Sequence, residues 1–399
     1  MTIEMIMIGI AILIVIGILL HHPSRTLGIP SLLIFMGVGL ALGNGEFNFV
    51  YDNLAQTAWI GGLALNVIVF VGGLNTSKDK ITVAYKEGGV LASFGVLFTT
   101  IFFAVILYGL LDFDFITCLL FAAIVSSTDA AAVFSILESK KLKLKERTDT
   151  VLEFESATND PVAMLMVIVL TDMVLSSSQT IALPNLAMNL LTQILVAIVV
   201  GGLIGKIAVI LLSKINLSEF GLIPVFVLAT FIIATYGAEM LGGNILLASY
   251  IVGVVIGNGI KRGQLVNVHF FNSLSWLAQA LMFIVLGLQI FPQTLITVFW
   301  ASIIPALLLI FVARPLAVQL CYLPFVKASW KKRLFISMIG LKGATPIVFA
   351  LIPAAAGVPG SIEIVHMVFF FVLFSVFIQG GAIAPLASKL GLEQTNKEP

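Results

Sequence analysis

Apolar stretches of eighteen or more residues follow one another from end to end of this chain, separated by short polar turns. A water-soluble fold of 399 residues could not hide that much oily surface, since 60% of the residues are hydrophobic and only 10% are charged. In hydrocarbon a segment must satisfy its own backbone hydrogen bonds, so the runs must be helices. The expectation is an all-α polytopic membrane protein with about thirteen transmembrane helices. They are placed near 3–20, 27–43, 56–74, 88–111, 114–137, 148–175, 183–213, 220–241, 243–260, 271–291, 294–323, 333–356 and 361–387, each end uncertain by about three residues. The first run has no basic stretch before it and no small-residue cleavage site after it, so it reads as a retained helix rather than a signal peptide. Cys118 and Cys321 both fall inside apolar runs, so neither a disulfide framework nor a metal cluster is expected.

The loop charges constrain the count. With the N-terminus outside, the cytoplasmic side holds Arg25; Lys78, Lys80 and Lys86; Lys140, Lys141, Lys143, Lys145 and Arg147; Lys214; Lys261 and Arg262; Lys327, Lys331, Lys332 and Arg333; and Lys389 and Lys397 in the tail. The opposite loops carry Glu46, Asp52, Asp112 and Asp114, with no Lys or Arg. Such a one-sided split supports an odd number of spans and a cytoplasmic C-terminus. The net charge of +1 gives no reason to expect a nucleic-acid partner; membrane lipids are the expected surroundings. Lys206 lies near the inner end of its span, where its stem can snorkel. Glu153, Asp172 and Glu239 lie towards helix ends and read as solvated. His269 and His366 read as interfacial rather than as pH sensors.

Five ionisable groups are left at depth: Asp129, Glu155, Asp160, Arg314 and Lys342. A charge at the bilayer centre costs on the order of 3 kcal/mol or more, and chains that keep one usually use it. The densest segment is Leu152-Glu153-Phe154-Glu155-Ser156-Ala157-Thr158-Asn159-Asp160-Pro161. Pro161 has no amide proton, so the carbonyl of Ala157 loses its helical partner and is free to bind something else. Oxygen ligands and a titratable acid within one turn suit a small hard cation and a proton. Burial removes the water that stabilises a carboxylate's charge, so at Asp160 a proton and a cation would compete for one group. Competition of that kind is a coupling mechanism. Ser156, Thr128 and freed backbone carbonyls are the candidate neutral ligands, although hydroxyls in membrane helices often bond to their own backbone. Asn159 adds an amide that does not titrate. With one exchangeable acid the expected stoichiometry is one cation for one proton, an electroneutral exchange. Glu155 lies about 140° around the helix from Asp160. It is paired with Arg314, because a buried guanidinium needs a carboxylate and no better spare one exists.

The spacing also hints at symmetry. Val125-Ser126-Ser127-Thr128-Asp129 interrupts the fifth expected span, and Gly340-Leu341-Lys342-Gly343-Ala344-Thr345-Pro346 the twelfth. An odd offset makes the two halves inverted, and paired interruptions in inverted halves point to a transport site at the midplane. The expected organisation is a single membrane domain over 1–399. Repeat one lies near 1–175, a linking helix near 183–213, repeat two near 220–387, and a short tail over 388–399. Where the two broken helices cross, Asp129 can offset exposed positive ends and Lys342 negative ones.

These motifs resemble those of the NhaP-type monovalent cation:proton antiporters. Ser127-Thr128-Asp129 followed by alanines is similar to that family's unwound-helix motif, and Glu155-Ser156-Ala157-Thr158-Asn159-Asp160 to its Glu-Ser-x-x-Asn-Asp motif. Arg314-Pro315 and Gly340-Leu341-Lys342-Gly343-Ala344 follow in the family's order and spacing, so the resemblance covers essentially the whole chain. The Asp160-Pro161 step and Pro346 look most like the potassium/proton branch related to the bacterial cell-volume-regulation protein. The resemblance implies thirteen helices split into a core and a dimerisation domain, a homodimer in a bacterial inner membrane, and an elevator-like motion of the core. It implies that Asp160 is the exchanged carboxylate, with Thr128, Ser156 and Asn159 near it and Glu155 bridged to Arg314. Many relatives have Arg where this chain has Lys342, which leaves a titrating role for that lysine open. Members of the potassium branch often carry a cytoplasmic nucleotide-responsive tail. The sequence ends shortly after Lys389, which implies that such a domain is absent or has been cut away.

The expected activity is secondary exchange of K+, or alternatively Na+ or Li+, against H+, with no cofactor. A cation channel is the alternative of another class, and it needs neither inverted repeats nor competition. A scaffold or receptor would leave the buried charges without purpose. No nucleophile–base set or phosphate-binding loop suggests an enzyme.

Overall fold

The structure is a computed structural model describing residues 31–43, 53–129, 142–176, 183–215, 221–260, 264–343 and 345–394, with isolated positions between 11 and 19 and at 133, 137 and 219. Most of the expected first span, the loop residues Arg25, Glu46, Asp52, Lys140, Lys141, Lys261 and Arg262, and Lys397 in the tail lie outside the described residues. Among the described residues, 8 helices are long and apolar enough to cross a membrane, and 3 shorter apolar helices accompany them.

In chain order the helices are α1 (Ser31–Leu42) and α2 (Leu54–Asn75); α3 (Lys78–Leu110) and the short α4 (Phe115–Ile124); α5 (Thr148–Leu175), α6 (Leu183–Lys214) and α7 (Leu222–Met240); α8 (Ile245–Gly259) and α9 (Gln264–Leu288); α10 (Pro292–Cys321); α11 (Trp330–Met338) and α12 (Thr345–Ala355); and α13 (Ser361–Leu390). Local chemistry sets several of their ends. Asp114 caps α4, with Oδ2 accepting from the Thr117 amide at 3.1 Å. Asn244 caps α8 and Ser329 caps α11 in the same way.

Three of the long helices contain a π-helical turn, at Leu91–Gly95, Leu309–Ala313 and Val376–Gly380. The second runs directly into Arg314-Pro315. Proline there cannot donate to the carbonyl four residues back, and a wider turn absorbs the missing bond. α5 instead carries Pro161 within an unbroken helix.

The chain divides into two compact units. The first comprises Met1–Gly61, Ala84–Ser176 and Ala280–Pro399. One face of it packs Leu91, Val151, Leu152, Tyr322, Phe335, Ile336, Leu341 and Ile383 into a single apolar cluster. Phe103, Phe121 and Phe371 meet edge-on or tilted in the same unit. Glu146 and Arg147 both adopt left-handed backbone at the entrance to α5. The segment before them forms an isolated antiparallel bridge, Leu144 to Glu393.

The second unit comprises Gly62–Val83 and Ser177–Gln279. Phe70 meets the ring of Phe231 at a tilt and that of Phe271 edge-on within it. Thr235, Ser249 and Asn66 form a small buried polar cluster beside them. Along α6, Leu191, Leu195, Val199, Leu203 and Ile207 are exposed at four-residue intervals, a continuous apolar stripe of the sort a helix turns to lipid.

Candidate functional site

All of the candidate residues fall in the first unit. Helix α4 stops at Ile124, and Val125–Asp129 is not helical. α11 stops at Met338, and Ile339–Gly343 is not helical before α12 begins at Thr345. The two interruptions touch. The Asp129 amide donates to the Leu341 carbonyl at 2.8 Å. Lys342 Nζ donates to the carbonyls of Ser126 (3.1 Å) and Ser127 (2.8 Å), just beyond the end of α4. These are carbonyls of the kind that make a helix C-terminus negative, and an ammonium there is favourable. Asp129 sits at the opposite kind of end. Its carboxylate lies so close over Gly343 that a Cβ at that glycine would overlap Oδ2, which puts a negative charge two residues before α12 starts.

α5 passes beside both breaks. Glu155, Ser156, Asn159 and Asp160 are all buried, and the pairs four apart share a helix face. Asp160 Oδ1 accepts a hydrogen bond from Ser127 Oγ, a residue of the first break. Its Oδ2 accepts from Thr345 Oγ1 at 3.4 Å, the first residue of α12. The carboxylate is thus tied to both breaks through two hydroxyl donors. A second network lies alongside: Thr128 Oγ1 and Ser156 Oγ are 2.9 Å apart, and Asn159 Nδ2 donates to Thr128 Oγ1 at 2.6 Å. Asn159 Oδ1 has no partner among the described residues.

Glu155 and Arg314 form an ion pair, Oε1 to Nη2 at 2.5 Å, with side chains 0% and 1% exposed. Gly340 lets the guanidinium pass, because a Cβ there would come within 2.9 Å of Arg314 Nε.

Sequence reasoning picked Thr128 and Ser156 as the hydroxyls around Asp160. The structure joins those two to Asn159, and the carboxylate accepts from Ser127 and Thr345. Both lay within the quoted motifs, but nothing in their spacing said which would turn inward. Lys332, expected in a cytoplasmic loop, is buried: its Nζ meets Glu87 Oε2 at 2.7 Å, and Tyr322 donates to the same oxygen at 2.9 Å. His366 is also buried rather than interfacial, with Nδ1 2.7 Å from the Ile362 carbonyl and Nε2 facing the Phe291 amide. His269, Asp172, Lys206 and Glu239 are exposed.

The chain as a whole has known relatives. Residues 10–389 match the family described as "Sodium/hydrogen exchanger, transmembrane". The chain belongs to that family. Its relatives include the K(+)/H(+) antiporter NhaP2 of Shewanella sp. (strain ANA-3), 35% identical over 380 residues. That alignment takes in 94% of this chain but only 65% of the relative, so the chain spans just under two thirds of the relative's length. The Na(+)/H(+) antiporter NhaH of Halobacillus dabanensis is 27% identical over 97% of this chain and 98% of its own. Among solved structures, the sodium proton antiporter MjNhaP1 of Methanocaldococcus jannaschii, at pH 8, shares the fold with a TM-score of 0.84 at 24% identity, covering 98% of this chain and 99% of that one. The chain is therefore a multi-pass integral membrane protein of an exchanger family, and not an enzyme family.

Proposed function

We propose that this chain is a secondary active antiporter exchanging a monovalent cation, K+ before Na+, for H+, one for one. The observation that carries the proposal is Asp160. It is a buried carboxylate bonded to hydroxyls from two interrupted helices, whereas the neighbouring Glu155 is taken by a guanidinium. In the cycle, Asp160 holds a proton when the site faces one side. It releases the proton to admit a cation and carries the cation across as the site is re-exposed on the other. Hydroxyls of Ser127 and Thr345, with Thr128, Ser156 and Asn159 in the adjoining network, supply neutral oxygens to the dehydrated ion. Asp129 and Lys342 hold the breaks in register by compensating their helix ends.

Potassium is favoured because the 35% relative is named for it. Exchange of Na+ or Li+ is the second reading, favoured by the full-length alignment with a relative named for Na+. The architecture proposed is about thirteen spans in two inverted repeats, near 1–175 and 220–387, joined by a linking helix near 183–213. The N-terminus would lie outside a bacterial inner membrane and the C-terminus in the cytoplasm. The proposed working unit is a homodimer.

The test is proton flux in proteoliposomes given K+, Na+, Li+ and Rb+ in turn, with and without a clamped voltage. Asp160→Asn should abolish cation-driven proton movement while the protein elutes and melts as wild type. Retained exchange in that variant would refute the assignment. Strong voltage dependence would refute the one-for-one stoichiometry, and cation flux without a proton counter-gradient would indicate a channel.

A further inference from the structure

The non-helical turn between α11 and α12 cannot satisfy its own backbone, so its bonds must be found elsewhere. The Ile339 amide reaches back to Phe335 at 2.9 Å, and the Leu341 carbonyl takes the Asp129 amide. The next two bonds run to α13. The Lys342 amide donates to Ser375 Oγ at 2.8 Å, and the Met338 carbonyl accepts from Gln379 Nε2 at 2.8 Å. Ser375 Oγ in turn donates to Gln379 Oε1 at 2.5 Å. The result is a closed bridge over the break: Lys342 amide, Ser375 hydroxyl, Gln379 amide group, Met338 carbonyl. Each group is used in the sense its chemistry allows. The hydroxyl spends its only proton on Gln379 and a lone pair on Lys342, and the amide accepts at one end and donates at the other. Both side chains are buried, 1% and 2% exposed. They flank and occupy the π-helical turn Val376–Gly380, a distortion that often marks functional positions in helices.

The bridge fixes the residue that matters most at this break. Lys342 Nζ sits on the carbonyls of Ser126 and Ser127, and Ser127 gives its hydroxyl to Asp160. One residue therefore separates the lysine's charge from the carboxylate. Around Lys342 the other charges are Asp129 at the first break, Glu155 and Asp160 on α5, and Arg314 on α10. We propose that Ser375 and Gln379 are positioning residues of the exchange site: they hold Lys342 against the end of α4 and thereby set the charge and the Ser127 geometry that Asp160 experiences. Neither contacts Asp160 in the bonds described, so their effect is transmitted through Lys342. This inference rests on the antiport reading given above.

The test compares wild type with Ser375→Ala, Gln379→Met and Ser375→Thr in proteoliposomes. It reads the half-saturating cation concentration, the pH profile of exchange, and the melting temperature in detergent. Ser375→Ala and Gln379→Met should raise the half-saturating cation about tenfold, the lower end of what loss of an outer partner does to an ion site, and displace the pH profile. Ser375→Thr keeps the hydroxyl and should restore both. If the first two variants melt lower or turn over more slowly, but keep the wild-type half-saturation and pH profile, the positioning role is refuted and the bridge is only structural. Should Gln379→Met fail to fold, Ser375→Ala, which removes one oxygen, decides alone. Silence of the wild type in the same vesicles sinks the antiport reading, whereas wild-type exchange with unmoved variants sinks this inference only.

Discussion

Breaking the Glu155–Arg314 pair should be among the most damaging single changes this chain can suffer, and breaking both halves together among the mildest. The two side chains are almost wholly excluded from solvent and meet at 2.5 Å. Among the described residues there is no reserve partner. Arg314 Nε and Nη1 and Glu155 Oε2 make no other hydrogen bond among the described residues. Glu155→Met leaves a guanidinium buried without a counter-charge, and Arg314→Met strands a carboxylate. Each should cost about 3–5 kcal/mol. The double variant removes both desolvation penalties and puts two flexible apolar chains in the gap, so it should fall near wild type. A double-mutant cycle would therefore yield a coupling of several kcal/mol, above the ~0.5–3 kcal/mol usual for neighbours. Equilibrium unfolding in mixed micelles, run on the four proteins at low salt and at about 1 M salt, measures it. Bulk salt does little to screen a buried pair, so the coupling should survive the change. Single variants that lose no more than about 1 kcal/mol, the worth of an exposed pair, or single effects that simply add in the double variant, would refute the reasoning.

Three further outcomes follow from particular contacts. Gly343→Ala drives a methyl into the Asp129 carboxylate and should cost about 1–3 kcal/mol as overpacking does, with loss of exchange in vesicles; Gly89→Ala, where an added methyl meets nothing, should leave exchange intact. Asp114→Ala deletes the cap of α4, including the 2.5 Å bond from Thr117 Oγ1, and should lower stability by about 1 kcal/mol in the same unfolding assay. Lys332→Met frees Glu87 and the Glu146 carbonyl and should cost about 2 kcal/mol; an unchanged unfolding midpoint would show that this pair is screened.

The parts of this chain that could be read from sequence are those governed by the bilayer. Apolar length fixes where helices lie, because hydrocarbon leaves the backbone no other solution. The few charges that survive inside such runs stand out at once, which is why Asp129, Glu155, Asp160, Arg314 and Lys342 could be named without coordinates. The two interruptions were also legible, since Ser126-Ser127-Thr128-Asp129 and Gly340 to Gly343 put small polar residues where a helix would prefer leucine. What stayed hidden depends on rotation rather than on depth. Outside a helix no period assigns a side chain to a face, so spacing could not choose Ser127 and Thr345 over Thr128 for the Asp160 carboxylate. Lysine near a helix end usually reaches water, so Lys332 reads as a loop residue; Glu87 of α3, itself held by the Tyr322 hydroxyl, makes its burial tolerable. Ser375 and Gln379 left no signal, being polar residues in an apolar run of the kind that most often bond to their own helix.

The contrast between the two buried acids of α5, Glu155 and Asp160, carries the chemical argument furthest. Glu155 faces a guanidinium, a group that only donates and never loses its charge. Such a carboxylate has no reason to change state during a transport cycle. Asp160, five residues on, faces hydroxyls. A hydroxyl can donate to a carboxylate, accept from a protonated acid, or offer a lone pair to a cation by turning about one bond. The same two neighbours can therefore serve an occupant that is charged, one that is neutral, and one that is shared with a metal ion. The charges nearby are anchored on helix ends. Lys342 spends its protons on the carbonyls past α4, and Asp129 is pressed against the start of α12, so each meets the helix end that it neutralises. A lysine in place of Ser127 or Thr345 would favour the charged carboxylate alone, and a leucine would favour only the protonated acid. Alternating occupancy by a proton and a cation requires neighbours that stabilise neither state too strongly, and of the two buried acids of α5, Asp160 is the one given them.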